Sequence, residues 1–322
     1  RSTTRDVEKL LLELRDEQIA GLVIDLRDNG GGSLQEANDL TGLFIEYGPT
    51  VQIKHSSKRI WRDGKRKKGP YYNGPLLVMI NRLSASASEI FSGAVQDYGR
   101  GIIVGERSFG KGTVQTLIPL SSGQLKITES KFYRISGAST QNRGVVPDVA
   151  FPSVYNPEDI GESALDYALE WDQISPVRHR VYGDFSEVVP YINSRSLERR
   201  KINPDFISLK ERVIFSNQNR ANTKVSLNEV DRKTKRLDRE ARALEIENNR
   251  RRQKGLKKID NINELDQNED TENSLDDDAG VDFFLQEAGN ILADLIHFSS
   301  DKMEKSTSSE LALKNRSAAQ KP

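Results

Sequence analysis

The sequence predicts an α/β fold, because short apolar runs typical of buried strands alternate with segments of helical periodicity. Three such runs lie at residues 20–26, 76–80 and 101–105, and a Gly-rich turn follows the first of them. The order strand, helix, strand, helix, strand implies right-handed crossovers and a largely parallel, buried sheet. We therefore expect an α/β core in the first half of the chain.

Helical periodicity recurs around these runs. Val7, Leu10, Leu11 and Leu14 form one apolar stripe near the start of the chain. After the second run, Ile90 and Phe91 belong to the packing face of a further helix. The helical patterns cover residues 5–19, 34–46 and about 86–98, and two β segments joined by a Ser-Ser-Gly turn cover 113–120 and 124–135.

The composition changes near residue 155, where charged helical patterns replace the apolar runs. Basic and acidic residues interleave around residues 226–252, which favours a solvated helical surface over nucleic-acid binding. The predicted organisation is a core over residues 1–155, a charged helical region over 156–263, an acidic linker over 264–279, an amphipathic helix over 280–298 and a disordered tail over 299–322.

Overall composition excludes several classes of protein. Lys plus Arg and Asp plus Glu are both 48, so the net charge is zero and gives no indication of a nucleic-acid or membrane-surface partner. Cysteine is absent, which excludes a thiol nucleophile, a thiolate metal site and disulfides. No apolar run approaches the roughly 18 residues of a transmembrane helix. The chain opens with Arg1 and not with Met, so we expect a fragment.

Ser86 lies between the second apolar run and the helix that follows it. At a helix N-terminus, free N–H groups and the positive end of the helix dipole stabilise a developing oxyanion, as acyl transfer requires. A serine at such a junction is also a common N-cap, and Glu89 three positions later suits a capping box. Ser86 alone therefore leaves a nucleophile and a helix cap both open.

Residues 105–113 nearly match the phosphate loop G-x-x-x-x-G-K-[ST]. Gly112 stands where that loop has a hydroxyl residue for magnesium, and the β-branched segment from Thr113 predicts a strand where phosphate binding needs a helix. A nucleotide-binding protein using this loop is therefore a weaker alternative.

An extended segment gives Lys111 a different role. Alternation places Lys111, Thr113 and Gln115 on one side of the strand, where Gln115 can orient the lysine amine. A lysine acts as a base only when neutral, and burial favours that form. A solvated lysine and a triad that uses a distant histidine remain open, the three histidines being His55, His179 and His297. No His/Glu spacing resembles a zinc-binding helix.

Several ordered motifs together resemble the C-terminal processing, or tail-specific, peptidases. The match is strong over about residues 5–150, and the charged remainder is similar, less specifically, to the C-terminal region of the large bacterial members from the cell envelope. The motifs are residues 25–32 (DLRDNGGG), 84–91 (SASASEIF), 96–100 (QDYGR), 105–115 (GERSFGKGTVQ), 131–134 (KFYR) and 144–148 (GVVPD).

The resemblance implies a crotonase-like fold and a Ser/Lys dyad. Ser86 corresponds to the nucleophile and Lys111, 25 positions later, to the general base, with Gln115 supporting the lysine. The resemblance also implies an oxyanion hole formed by the backbone N–H groups of Ala87 and of Gly31 or Gly32.

Asp97 corresponds to a proposed third catalytic residue of the family. Eleven residues along a helix span roughly 16 Å, which is too far for direct contact with Ser86. We therefore expect Asp97 to brace the site by pairing with a cation or capping a loop.

The implied function is that of a serine endopeptidase that cleaves envelope proteins at or near their C-terminal tails, through an acyl-enzyme and without metal or cofactor. The resemblance implies a periplasmic or envelope location, protein substrates with accessible C-termini and an envelope adaptor protein. It also leads us to expect a PDZ module before the catalytic region, and this chain does not contain one. A catalytically inactive, peptide-binding scaffold of the same fold is the main alternative.

Overall fold

The computed structural model describes residues 2–57, 59–64, 71–264 and 282–318, the last 18 of these by backbone alone. The predicted acidic linker lies outside the described residues from position 265. The helices are α1 (Thr3–Asp16), α2 (Leu34–Thr41), α3 (Ala87–Asp97), α4 (Val188–Ile202), α5 (Pro204–Ala221), α6 (Glu229–Gln253) and α7 (Phe283–Ala318). The strands are β1 (Leu22–Asp25), β2 (Val51–His55), β3 (Ile60–Asp63), β4 (Leu76–Ile80), β5 (Ile102–Gly105), β6 (Thr113–Pro119), β7 (Gln124–Tyr133) and β8 (Val149–Ala150).

A parallel sheet confirms the three predicted strands. Its order is β1-β4-β5-β8, and every neighbouring pair is parallel. All five residues of β4 are buried, because helices and loops cover both faces of a central parallel strand. Helix α3 packs on this sheet through Phe91 and Val95, which join Val78 and Ile103 in the main hydrophobic cluster. The sheet and α3 thus form the core that positions Ser86.

A second sheet is antiparallel, so the expectation of one largely parallel sheet accounts for only part of the core. Its order is β3-β2-β7-β6, and the two β segments predicted at 113–120 and 124–135 form its hairpin β6–β7. Strands joined by a short turn pair antiparallel, because a parallel pair needs a much longer crossover connection. Strands β2 and β3 were not predicted, because their short runs carry charged residues among the apolar ones.

The chain divides into two compact units. The first comprises Arg1–Phe151, Tyr155–Asn193 and Ala288–Pro322, and the second comprises Pro152–Val154 and Ser194–Glu287. The predicted boundary at residue 155 stays a prediction. Residues 155–187, which we call the wrap segment, belong to the first unit, contain no α-helix and hydrogen-bond to the main chain of that unit. Three such bonds run from Ile174 N to Gly137 O, from Val177 N to Ile135 O and from Tyr182 N to Tyr98 O.

The two longest helices agree with the prediction to different degrees. Helix α6 covers nearly the same residues as the pattern at 226–252, and Asn228 caps its N-terminus. Helix α7 runs to Ala318 and so includes most of the segment expected as a disordered tail, where Glu, Lys, Leu and Ala favour helix. Among the described residues, no helix has the length and apolarity needed to cross a membrane.

Candidate active site

Ser86 occupies a strained turn between β4 and α3. It is the residue immediately before α3, with φ 57° and ψ −111°. A positive φ at a non-glycine residue costs on the order of 1–3 kcal/mol and persists only where the surroundings enforce it. The side chain is half-buried. A sharp strand-to-helix turn of this kind presents a serine hydroxyl to substrate at a helix N-terminus.

The Glu89 side chain enforces this geometry and joins the serine to the lysine. One carboxylate oxygen accepts from Ser86 N (2.8 Å) and Lys111 N (2.9 Å). The other oxygen accepts from Ser108 Oγ (2.6 Å) and Gly110 N (2.7 Å). Glu89 is fully buried, and this burial raises its pKa to about 7 although the four hydrogen bonds act to lower it. The sequence indicated only a helix cap here.

Lys111 contacts the residue that was predicted to orient it. Its Nζ donates to Gln115 Oε1 at 3.2 Å, and a register shift in the β6–β7 pairing lies between Val114 and Gln115. Lys111 is half-buried and Gln115 is exposed. Within the described ranges, no hydrogen bond joins Lys111 to the Ser86 side chain. The Lys111 amine therefore contacts Gln115 and not Ser86 in this structure, and its role as base stays a prediction.

The Gly-rich turn after β1 lies against the start of α3. Gly31 has φ +96°, and a Cβ there would lie 2.5 Å from Ala85 O and 2.8 Å from Ala87 N, so only glycine fits. Gly31 N donates to Asn29 Oδ1 at 3.0 Å. Within the described residues, the main-chain N–H groups of Gly32 and Ala87 donate no hydrogen bond. Two of the three predicted oxyanion donors are thus free in this state.

Asparagine side chains and carbonyls fasten this turn, and sequence reasoning missed them. Asn29 O accepts from Ala85 N and from Ser88 Oγ, both at 3.0 Å. Asn81 and Asp28 exchange two hydrogen bonds of 2.9 and 2.8 Å. Both asparagines follow buried strands in the sequence, and that placement was the available signal.

Asp97 lies at the far end of α3 and makes the contacts expected of a brace. Its carboxylate accepts from Arg134 Nε and Ser136 Oγ, both at 3.1 Å, and its side chain is 8% exposed. These bonds tie the end of α3 to the chain just after β7. Among the described residues, Asp97 makes no hydrogen bond with Ser86 or Lys111.

The alternatives to a Ser/Lys pair receive little support. His179 lies between Val177 O and Asp97 O, and no hydrogen bond in the described chain joins a histidine to Ser86. In residues 105–113, the N–H groups of Gly110 and Lys111 are not available to an anion, because they donate to Glu89. A strand follows that loop where phosphate binding requires a helix. Over the described ranges, no cluster of three His, Cys, Asp or Glu residues is placed to hold a metal ion.

Comparisons with known proteins match both parts of the chain. Residues 1–151 match the model of peptidase family S41, and residues 155–297 match the model described as the C-terminal domain of tail specific protease. The tail-specific protease of Haemophilus influenzae is 40% identical over 311 residues, which are 93% of this chain and 44% of that protein. The carboxy-terminal-processing protease of Bartonella bacilliformis is 38% identical over 167 residues, which are 49% of this chain and 38% of that protein.

Among solved structures, a photosystem II D1 C-terminal processing protease is 35% identical to this chain. The superposition covers 48% of this chain and 40% of that protein, with a TM-score of 0.42. The chain spans less than half the length of the two curated relatives described above.

Proposed function

Because the chain belongs to peptidase family S41, with the C-terminal domain of tail specific protease following, we propose that it is a serine endopeptidase that uses a Ser86/Lys111 dyad. One observation carries this proposal: a single carboxylate oxygen of Glu89 accepts from the main-chain N–H of both residues. Two residues 25 positions apart are thereby held at one point of the structure. A scaffold without catalysis has no need for the strained backbone at Ser86.

In the proposed mechanism, the Ser86 hydroxyl attacks the scissile carbonyl carbon and the neutral Lys111 amine takes its proton. The Lys111 side chain first rotates from Gln115 toward Ser86, since its amine donates to Gln115 at rest. The resulting ammonium then protonates the leaving amine, which leaves an acyl group on Ser86. Water activated by Lys111 hydrolyses this ester and restores the hydroxyl.

The oxyanion of each tetrahedral intermediate accepts hydrogen bonds from the free N–H groups near Ser86. Ala87 N–H lies at the N-terminus of α3, where the helix dipole adds to the stabilisation. Gly32 N–H is the second donor, because Gly31 N–H is already bonded to Asn29.

The relatives' names support the finer assignments. A tail-specific protease and a carboxy-terminal-processing protease act at chain ends, and we carry this preference to polypeptides with accessible C-termini. A periplasmic or envelope location and an adaptor protein that delivers substrate are also part of this proposal, and both rest on the resemblance of the sequence to the envelope members of the family. The reaction as written uses no metal or cofactor.

The test is digestion of an unstructured polypeptide, prepared with a free or an amidated C-terminus. We expect Ser86→Ala and Lys111→Ala each to lower the cleavage rate at least about a thousandfold. Lys126→Ala, which changes an exposed lysine on the same hairpin, should leave the rate unchanged.

Wild-type cleavage that persists in either active-site variant would contradict the dyad. No cleavage by the wild type, together with tight binding of the free-tailed polypeptide, would favour the inactive scaffold. Equal cleavage of free and amidated substrates would contradict the tail preference alone.

A further inference from the structure

The main chain of Gly110, Lys111 and Gly112, which we call the lysine loop, has every polar group paired. Two of its three N–H groups donate to Glu89, and the third, Gly112 N, donates to Gln141 Oε1 at 2.9 Å. The three carbonyls accept from Asn142 N (2.8 Å), Thr140 Oγ1 (3.3 Å) and Phe132 N (2.9 Å). A loop held at six points delivers its lysine side chain from one fixed place.

Gln141 is the side chain that holds the third N–H group of the lysine loop. Gln141 is fully buried, with 0% of its surface exposed. It packs so closely on Gly112 that a Cβ added to this glycine would lie 2.7 Å from Gln141 N. Its Nε2 donates to Glu162 Oε1 at 3.3 Å. An N–H such as that of Gly112 can only donate, so the amide oxygen must face it. The Glu162 carboxylate can only accept a hydrogen bond, so the nitrogen of the Gln141 amide must face Glu162.

Glu162 belongs to the wrap segment, which lies in the part of the chain matched as the C-terminal domain of tail specific protease. Its own N–H donates to Phe109 O at 3.0 Å, immediately before the lysine loop. Buried Arg82 adds a second connection, from Nε to Ile160 O and from Nη1 to Ser108 O, both 2.6 Å. The wrap segment is therefore fastened to the chain that leads into Lys111.

We propose that Gln141 is a positioning residue for Lys111, and that Glu162 fixes the orientation of its amide. The inference rests on the proposed Ser/Lys function. Gln141 contacts the main chain beside the lysine and not the substrate, so its loss lets Lys111 leave the position from which it reaches Ser86. The step that needs this reach is proton transfer, which predicts an effect on kcat and little effect on KM.

The first experiment compares Gln141→Ala with Gln52→Ala. Gln52 is a matched control, because it is also a buried glutamine (1% exposed) and its Nε2 also donates to the wrap segment, at Ser175 O (3.2 Å). We expect Gln141→Ala to lower kcat about tenfold to a hundredfold with KM unchanged within about twofold. Gln52→Ala should lower the thermal stability as much as Gln141→Ala does, but its kcat should stay within about twofold of the wild-type value.

The second experiment exchanges the donor and the acceptor. Gln141→Glu alone sets a second carboxylate against Glu162 and should lower kcat. The double substitution Gln141→Glu/Glu162→Gln keeps an acceptor for Gly112 N and restores one donor and one acceptor between the two side chains. We expect the double variant to recover about tenfold in kcat over Gln141→Glu, a rescue that a double-mutant cycle measures.

The outcomes separate this inference from the proposed function. Equal kcat values for Gln141→Ala and Gln52→Ala would overturn the role of Gln141, and no rescue by the double substitution would overturn that of Glu162. A wild-type chain that neither cleaves polypeptide nor reacts at Ser86 with a fluorophosphonate would contradict the Ser/Lys function itself.

Discussion

Two buried carboxylates near helix N-termini illustrate different uses of a buried charge. Glu89, in the first turn of α3, accepts from four donors that are all neutral in the described chain. Asp205, in the first turn of α5, instead accepts from Arg250 Nη1 (3.0 Å) of α6 and from Nζ of Lys254 (2.9 Å), the residue that follows α6. The first carboxylate orients main-chain groups of the candidate site, and the second holds two helices of the second unit together.

The difference lies in how each charge is compensated. Hydrogen bonds from neutral groups compensate burial only in part, so Glu89 has its pKa raised to about 7. Asp205 has opposite charges within direct contact, which compensate its burial by Coulomb attraction. Neutral N–H and O–H donors thus surround the carboxylate at the candidate site, whereas cationic side chains surround the carboxylate between the two helices.

We expect the largest change in activity from Glu89→Gln, which tests whether Glu89 orients the candidate site. The amide NH2 would face two of the four donors, which are left without an acceptor. Because the Ser86 turn and the lysine loop both lose an anchor, kcat should fall about a hundredfold or more. Steady-state cleavage kinetics measure this, with Glu36→Gln at the α1–α2 contact as the control. An unchanged kcat would show that Glu89 only caps the helix.

The second prediction is a pH dependence of stability. The pKa of Glu89 is near 4.5 when unfolded and about 7 when folded, so the folded state binds the proton more tightly. Its contribution is fully present below pH 4.5 and is lost as the pH rises to about 7, a decrease of about 3 kcal/mol. Urea unfolding at pH 5, 6, 7 and 8 should show this fall in the wild type and a smaller one in Glu89→Gln. Parallel pH profiles would contradict it.

The third and smallest effect is expected from Asp205→Asn. The substitution leaves Arg250 and Lys254 without this counter-charge and should lower the free energy of unfolding by about 2 kcal/mol. Because Asp205 orients no group of the candidate site, kcat should remain within about twofold. Chemical denaturation and cleavage assays on the same preparation check both parts. A large fall in kcat for Asp205→Asn, with the free energy of unfolding unchanged, would contradict the different roles assigned to the two carboxylates.

Local sequence patterns predicted most of the elements that position Ser86. The buried run at 76–80 and the helical pattern from residue 86 are visible within windows of a few residues, and the structure has β4 and α3 there. Period-two alternation predicted that Lys111 and Gln115 lie close together, and their side chains do form a hydrogen bond, although Lys111 lies in the loop two residues before β6. The Gly-rich turn was recognisable because positive φ selects glycine.

Local sequence patterns could not predict the long-range contacts that bring these residues together in one site. Glu89 meets Lys111 across 22 positions, Gln141 meets Gly112 across 29 and Asp97 meets Arg134 across 37. No periodicity links residues at such separations, because only the packing of sheets, α3 and the wrap segment decides which of them meet. The sequence by itself thus determined the strands and the helix next to Ser86 and Lys111, and it predicted a nucleophile and a base at these two positions. Tertiary structure decided that Glu89 and Gln141 hold them in place, because a buried hydrogen bond forms only where folding brings its donor and acceptor together.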